Sequence, residues 1–462
     1  MYIVSVLIEH GINRLSQPFS YLSKKEVVKG VRVRVIFNHQ KLIGYSLKCQ
    51  YTSLSAKELA LRDGFRYNYI QEVIDEKPLL NDELVALSES MSKLYITSQI
   101  VCLQAMLPKT LKPKTLKAVT IKYQKAARVI RIGEGKTKTQ NALYQYLSTP
   151  GTHFIKDLPF SSSPLNGLVE QGLVEIYDQE IKRQPQIAKV KQDCVVLTKS
   201  QQDIVNQILE KEERISLIHG VTGSGKTEIY LALTKNMIML VPEIALTPMM
   251  VAIFKQRFGD DVAIFHSRLS EGERYDEYRR IANGEVHIVV GARSAIFAPL
   301  KNIGLIILDE EHDASYKQES APRYTTLTIA KMRALYHHAN IVLGSATPSV
   351  ESYARALKGV YDLYELPERI NKKPLPAYTI VDMANEAKAK HYGLMSRLME
   401  ERLKTTLDKG EQAILLLNKR GYASFVKCED CGEVVKCPHC DVTLTYHKND
   451  DSLKCHYCGF SI

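Results

Sequence analysis

Gly220-Val221-Thr222-Gly223-Ser224-Gly225-Lys226-Thr227 is the stretch whose reading decides the fold. Its glycines let backbone N–H groups close around phosphate oxygens, where a Cβ would stand in the way. Lys226 can reach the outer phosphates of a nucleotide and Thr227 offers a hydroxyl to Mg2+. The apolar run Ile215 to Ile218 precedes the loop and a helical run, Glu228 to Thr234, follows it. The loop therefore reads as the turn from a strand into a helix. Outward from it, short apolar runs recur at Met237 to Val241, Val262 to Phe265, Val286 to Val290, Leu305 to Leu308 and Ile341 to Leu343. Polar helical stretches separate most of them, which predicts an α/β domain with a parallel sheet wrapped by helices.

The second half of a nucleotide site follows at Ile306-Ile307-Leu308-Asp309-Glu310-Glu311-His312, an apolar strand ending in carboxylates. Asp309 can hold Mg2+ through water, and Glu310 can orient and deprotonate an attacking water. Either acid alone reads as a surface residue; paired with the upstream loop they read as an NTPase site. Leu197-Thr198-Lys199-Ser200-Gln201 places a glutamine amide where it could pair with adenine. The expected ATP-binding set is thus Gln201 with Gly220 through Thr227.

The chain around this centre has 462 residues, room for about three or four domains of ordinary size. Its formal net charge of +11 points to a polyanionic partner, nucleic acid being the commonest. No apolar run approaches the roughly 18 residues a membrane span needs. The N-terminus lacks a basic region before its apolar start, so no secretory leader is read and a cytoplasmic location with reduced thiols is expected.

Of nine cysteines, Cys49, Cys102 and Cys194 are scattered and read as small buried hydrophobes. The other six form three C-x-x-C pairs, and a redox dithiol would explain one pair but not three. Cys437, Cys440, Cys455 and Cys458, with 14 residues between the pairs, make a complete tetrahedral Zn2+ set. Gly459 and Gly432 allow the tight backbone. Cys428 and Cys431 are left as a second half-site, with His439, His447 and His456 as weak substitutes or surface residues.

Residues 1–105 read as a small β-rich domain with one helix. Val31, Val33 and Val35 alternate with Arg32 and Arg34, a half-buried strand with basic outward teeth, and Asn81 is a good N-cap for the helical stripe Leu84, Leu87, Met91, Leu94. Between Lys109 and Lys138 stand ten Lys or Arg and one acid, either a solvated linker or a footprint for phosphates. Residues 137–180 suggest a winged helix broken at Gly172, and Gln184-Pro185-Gln186 a linker. The resulting division is 1–105, 106–190 with its linker, a first motor lobe over 191–368, the start of a second lobe over 369–427, and a cysteine-rich region over 428–462. The second lobe would open with a helix around Leu394 to Leu407 and a buried strand Ala413 to Leu417.

Together the phosphate loop, the Asp309–His312 run and Gly344-Ser345-Ala346-Thr347-Pro348 resemble a superfamily-two helicase. More narrowly, GVTGSGKTEIY, VPEIALTP (Val241 to Pro248), VVGARSAIFAP (Val289 to Pro299), DEEHDASYKQ (Asp309 to Gln318) and LLLNKRGYA (Leu415 to Ala423) resemble the primosomal protein N′ (PriA) family of replication-restart helicases. Phe19-Ser20-Tyr21 and Gly30 to Val35 match more loosely. The resemblance implies a RecA-like P-loop helicase lobe plus a partial second lobe, and ATP-driven 3′→5′ movement on forked and single-stranded DNA. It also implies primosome assembly with single-strand DNA-binding and helicase-loader proteins, near the nucleoid. In that family Ser345, Ala346 and Thr347 would couple nucleotide state to lobe movement. Tyr316, Lys317, Arg323 and Tyr324 would couple DNA contact to hydrolysis, with aromatic faces stacking on bases. Phe19 and Tyr21 would capture the 3′ end of a nascent strand and form its DNA-binding domain.

Three departures qualify this. Ser20 stands where the family usually has an acid. The link from Thr227 to Met237 is short, which predicts disturbed packing behind the loop. No Arg-rich Q-x-x-G-R-x-G-R element precedes Ile462, and the resemblance puts a fourth cysteine pair beyond it. The expectation is a chain ending inside the zinc module that binds ATP but hydrolyses it poorly. The rival readings are a duplex translocase or nuclease-associated motor, for which no nuclease motif appears, and a non-catalytic fork-DNA-binding fragment.

Overall fold

In the computed structural model, described over residues 1–9, 17–112, 121–183, 196–233, 235–242, 248–266, 269–374, 376–416, 426, 433–447, 450–455 and 458–462, the phosphate loop leaves a seven-stranded parallel sheet. Its strands lie in the order Val262–Phe265, Ile288–Gly291, Met237–Leu240, Leu305–Asp309, Asn340–Ser345, Ile215–Gly220, Asp362–Leu366. Every neighbouring pair is parallel. The six apolar runs of the sequence all become strands because both faces of the sheet are covered. Leu217, Ile238, Ile306 and Ile341 belong to one apolar cluster, and Ile218, Met239, Ile307 and Val342 to the other. Each such side chain, fully buried, contributes roughly 1.5–3 kcal/mol. The seventh strand, Asp362–Leu366, was not anticipated: it lies at the sheet edge with Glu365 exposed, so its run is not continuously apolar.

The short link behind the phosphate loop does not disturb this packing. The helix Lys226–Ala232 is only seven residues long, and Met237–Leu240 is nonetheless fully buried and paired on both sides. Asn236 makes the junction: its Nδ2 donates to Asn302 O at 3.2 Å and its carbonyl accepts the N–H of Gly304 at 2.8 Å.

The N-terminal residues form a five-stranded antiparallel sheet, Phe19–Ser23, Tyr2–Ile8, Gln40–Tyr51, Arg32–Phe37, Glu72–Val73 in spatial order. Asn81 caps the helix Asp82–Leu94 through the N–H of Leu84 at 2.8 Å, as its residue type predicts. The basic teeth of the sequence reading are not free. Arg32 lies on Asp75 at 2.7 Å with little exposure, and Arg34 stands 3.3 Å from Glu72. Helices Asp82–Leu94 and Gln99–Met106 lend Leu84, Met91, Leu103 and Met106 to the same apolar cluster that covers one face of the motor sheet. The N-terminal layer and the motor therefore share one core.

Residues 122–181 alternate strand and helix: Lys122–Val129, helix Lys138–Leu147, His153–Phe154, helix Ser162–Glu170, Val174–Ile181. The strand Lys122–Val129 is the centre of this small sheet and lies inside the basic stretch read as linker or footprint. Its cationic residues hid it, since only Ala126 and Ala127 of its length are buried.

Residues 375–462 make a separate compact unit. It holds helices Met383–Lys388 and Arg397–Asp408, close to the helix expected there. Over its described part the strand expected at Ala413 to Leu417 is absent: residues 411–416 are exposed and without strand pairing. The hairpin Thr445–His447 with Ser452–Lys454 completes the unit. Among the described residues no helix is long and apolar enough to cross a membrane.

Candidate nucleotide, DNA and zinc sites

The phosphate loop turns through Gly223 and Gly225, both at φ +82°, a left-handed conformation that side chains rarely adopt. Thr222 and Gly223 are exposed, so the mouth of the loop is open. Lys226 Nζ donates to Gly220 O at 2.7 Å, lying back on its own loop where an arriving anion could draw it out. Gln201 is buried beneath the loop. Its amide nitrogen donates to Ser224 O at 2.9 Å and its carbonyl accepts the N–H of Thr198 at 2.9 Å. Each polar end of the amide thus has a protein partner, the nitrogen on the loop and the oxygen within the helix's own N-terminal cap.

Asp309 ends its strand beside Gly344 and close to the phosphate loop's helix. Tyr230, fully buried on that helix, donates its hydroxyl to Asp309 Oδ1 at 3.0 Å. Gly344 makes room for this bond: a Cβ there would stand 1.7 Å from the tyrosine oxygen. Burial raises the Asp309 carboxyl above its ordinary value, while the Tyr230 bond pulls it down. A dication would favour the charged form of such a carboxylate. Glu310 follows at φ +44° and turns the chain at the strand end.

The remaining residues of this run tie it to Ser345-Ala346-Thr347. His312 Nδ1 lies 2.8 Å from Ser345 Oγ, which also accepts the N–H of Thr347 at 2.9 Å. His312 Nδ1 is 3.8 Å from Glu310. Glu311 accepts from Ser349 N at 2.6 Å and from Ser352 Oγ at 2.9 Å. These bonds join the Ser345–Thr347 turn to the ring beside Glu310.

Tyr316 and Tyr324 are buried, which corrects the expectation that their faces stack on bases. Tyr316 instead donates to Asp309 O at 2.7 Å, and Tyr324 packs edge-on against Phe297 at 5.1 Å. Lys317 and Arg323 of the same loop are exposed and could meet phosphates. Arg293, which no motif singled out, clamps the loop by donating to Ser315 O at 2.8 Å and Lys317 O at 2.6 Å.

In the N-terminal sheet, Phe19, Ser20 and Tyr21 line a cavity of about 540 Å³ with Phe37, Asn38, Phe65 and Arg66. Phe19 and Phe37 face each other at 4.7 Å, and Tyr21 donates to Ile36 O at 3.3 Å. The two-residue turn Asn38-His39, with φ of +47° and +61°, shapes one wall. Aromatic rings with one exposed cation suit the end of a nucleic-acid strand.

The sulfurs of Cys437, Cys440, Cys455 and Cys458 all lie within 4.8 Å of one another. Two knuckles hold them: Asp441 N donates to Cys437 O at 2.9 Å, and Gly459, at φ +77°, donates to Cys455 O at 3.0 Å. Hydrogen bonding to Cys458, with burial, pushes the Cys440 thiol up to about 12, a state that a dication at the centre reverses. Four thiolates in this arrangement fit one tetrahedral Zn2+. Cys428 and Cys431 lie outside the described residues, as do Cys194, His456, the linker at 184–186, most of the VPEIALTP stretch and most of LLLNKRGYA.

Residues 198–356 match the family described as DEAD/DEAH box helicase, residues 5–108 the PriA 3′ DNA-binding domain, and residues 437–462 the PriA DNA helicase Cys-rich region. Replication restart protein PriA of Bacillus subtilis (strain 168) is 37% identical over an alignment of 548 positions, covering 99% of this chain and 67% of that protein. The same-named proteins of Synechocystis and Chlamydia pneumoniae are 43% and 33% identical, covering 66% and 99% of this chain and 39% and 63% of their own lengths. Among solved structures, the Pyrococcus furiosus Hef helicase domain aligns over 46% of this chain and 47% of its own, at 19% identity and a TM-score of 0.30, too low to add to the fold argument.

Proposed function

The chain belongs to the PriA replication restart family, and from that premise we propose that it is an ATP-dependent DNA helicase moving 3′→5′ on forked DNA to begin primosome assembly. The observation that carries this reading is the meeting of Lys226, Asp309 and the Ser345–Thr347 turn at the C-terminal ends of neighbouring parallel strands, the place where open α/β sheets bind ligands. Lys226 would leave Gly220 O for the outer phosphates of ATP, and Thr227 and Asp309 would hold Mg2+, which would supply positive charge for phosphoryl transfer. Glu310 orients the attacking water and takes its proton. His312 passes the change to Ser345 and Thr347. Gln201 acts by fixing the loop.

The N-terminal cavity around Phe19 and Tyr21 takes the 3′ end of a DNA strand by ring contacts, which carry little sequence information. Lys317 and Arg323 meet the backbone of the strand being moved. Cys437, Cys440, Cys455 and Cys458 would hold Zn2+ and cross-link the cysteine-rich hairpin. We propose the domain division given by the sequence, and single-strand DNA-binding and helicase-loader proteins as partners in the bacterial cytoplasm near the nucleoid.

The test is ATP hydrolysis by the 462-residue chain with and without forked DNA, beside Lys226→Ala. Turnover that requires both the fork and Lys226 supports the reading. Fork binding without Lys226-dependent turnover would overturn it for this chain and leave a DNA-docking fragment.

A further inference from the structure

The segment after the last motor strand lies across the phosphate loop, and no motif assigns it a role. Leu366 O accepts the N–H of Val221 at 3.1 Å, and Gly223 O accepts the N–H of Ile370 at 3.0 Å. Leu366–Ile370 is thus tied to the loop at two points. A Cβ on Gly225 would meet Gln201 Nε2 at 2.4 Å and Ile370 Cδ1 at 2.6 Å, so glutamine and isoleucine converge on the same glycine. Arg369 stands beside them: a Cβ on Gly223 would find its Cγ at 4.0 Å. Its Nε is buried and has no hydrogen-bond partner.

The sheet order indicates which part of a ligand Arg369 would meet. Asp309 and the Ser345–Thr347 turn flank the phosphate-loop strand on one side, and Asp362–Leu366 flanks it on the other. In a nucleotide whose reacting phosphate points toward Asp309 and Glu310, the base leaves on the opposite side, where Arg369 and Ile370 lie. Gln201 is already bonded once at each end of its amide, to Ser224 O and to the N–H of Thr198, and so holds the loop from beneath. A guanidinium is planar and weakly hydrated, suited to lie on an aromatic face.

We propose that Arg369 and Ile370 form the base-binding face of the nucleotide pocket, with the Arg369 guanidinium stacked on the adenine of ATP. This rests on the reading of Gly220–Thr227 as an ATP site, and the test separates the two. Equilibrium binding of ADP and of inorganic tripolyphosphate is measured on the full chain, wild type, Arg369→Ala, Arg369→Lys and Lys226→Ala. Arg369→Ala is expected to weaken ADP about tenfold while leaving tripolyphosphate unchanged. Arg369→Lys should recover only part of the loss, since an ammonium does not stack as a planar fork does. Equal weakening of both ligands would make Arg369 a phosphate contact and overturn the proposal, as would no weakening of ADP. A wild-type chain that binds neither ligand would overturn the ATP-site reading itself, and this inference with it.

Discussion

Glu83→Gln tests whether the DNA-binding layer and the motor are one mechanical body. Glu83, on the first long helix of the N-terminal layer, receives Arg333 Nε at 2.5 Å and Nη2 at 2.8 Å, with both side chains almost wholly buried. The third guanidinium nitrogen donates to the carbonyls of Ile296 and Ala298 at 2.6 and 2.9 Å, inside the stretch Val289 to Pro299. His337 Nε2 stands 3.1 Å from the same carboxylate. Glutamine keeps the shape but strands a buried guanidinium, which costs about 3–5 kcal/mol. The double change Glu83→Leu with Arg333→Met removes both charges and should cost less than either single change.

Acid should reveal the same pair. Burial works to raise the Glu83 carboxyl, but His337 and Arg333 outweigh it and bring it to about 2, from 4.5. The folded state then binds this proton less readily than the unfolded chain. The stabilisation is complete above about pH 4.5 and is lost as pH falls toward 2, about 3 kcal/mol in all. Urea unfolding followed by tyrosine emission, clean because the chain has 25 Tyr and no Trp, measures both effects. A Glu83→Gln chain within about 1 kcal/mol of wild type, or one with the same acid limb, would refute the argument.

Two further outcomes follow from the sites. Cys437→Ser should remove the zinc held by the four-cysteine cluster, read by metal analysis, while Lys226-dependent nucleotide binding stays intact; retained zinc would mean the ion sits elsewhere. Gly344→Ala drives a Cβ to 1.7 Å from the buried Tyr230 hydroxyl and should cost about 1–3 kcal/mol while raising the Mg2+ needed for turnover. Adding Tyr230→Phe, which removes that oxygen, should restore part of the stability but not the Mg2+ dependence.

The motor was legible because six of its strands are buried on both faces, so that each reads as an unbroken apolar run. Asp362–Leu366 escaped because an edge strand is wetted on one side, and Lys122–Val129 because its exposed face is cationic. Glycine placement marked the phosphate loop, and cysteine spacing marked the metal cluster, since both follow from local geometry. Arg369 carries no such mark: the role proposed for it depends on a crossover that brings a residue far along the chain back to Gly223. The tyrosines of the 316–324 loop misled for a related reason. A surface aromatic and a buried one look alike in sequence, and only tertiary packing shows that Tyr316 points to Asp309.

That burial changes how DNA contact could reach the nucleotide. A ring stacked on a base would report DNA through its own displacement. Tyr316 instead fixes the carbonyl of Asp309, while Arg293 grips the carbonyls on either side of Tyr316. The exposed members are Lys317, next to Tyr316 on the same limb, and Arg323 on the returning limb of the loop. A phosphate drawn onto those cations would pull on Arg293 and Tyr316 together and so on the residue proposed to hold Mg2+. Coupling by this route depends on backbone displacement and is blind to base identity, as a motor that must accept any sequence requires.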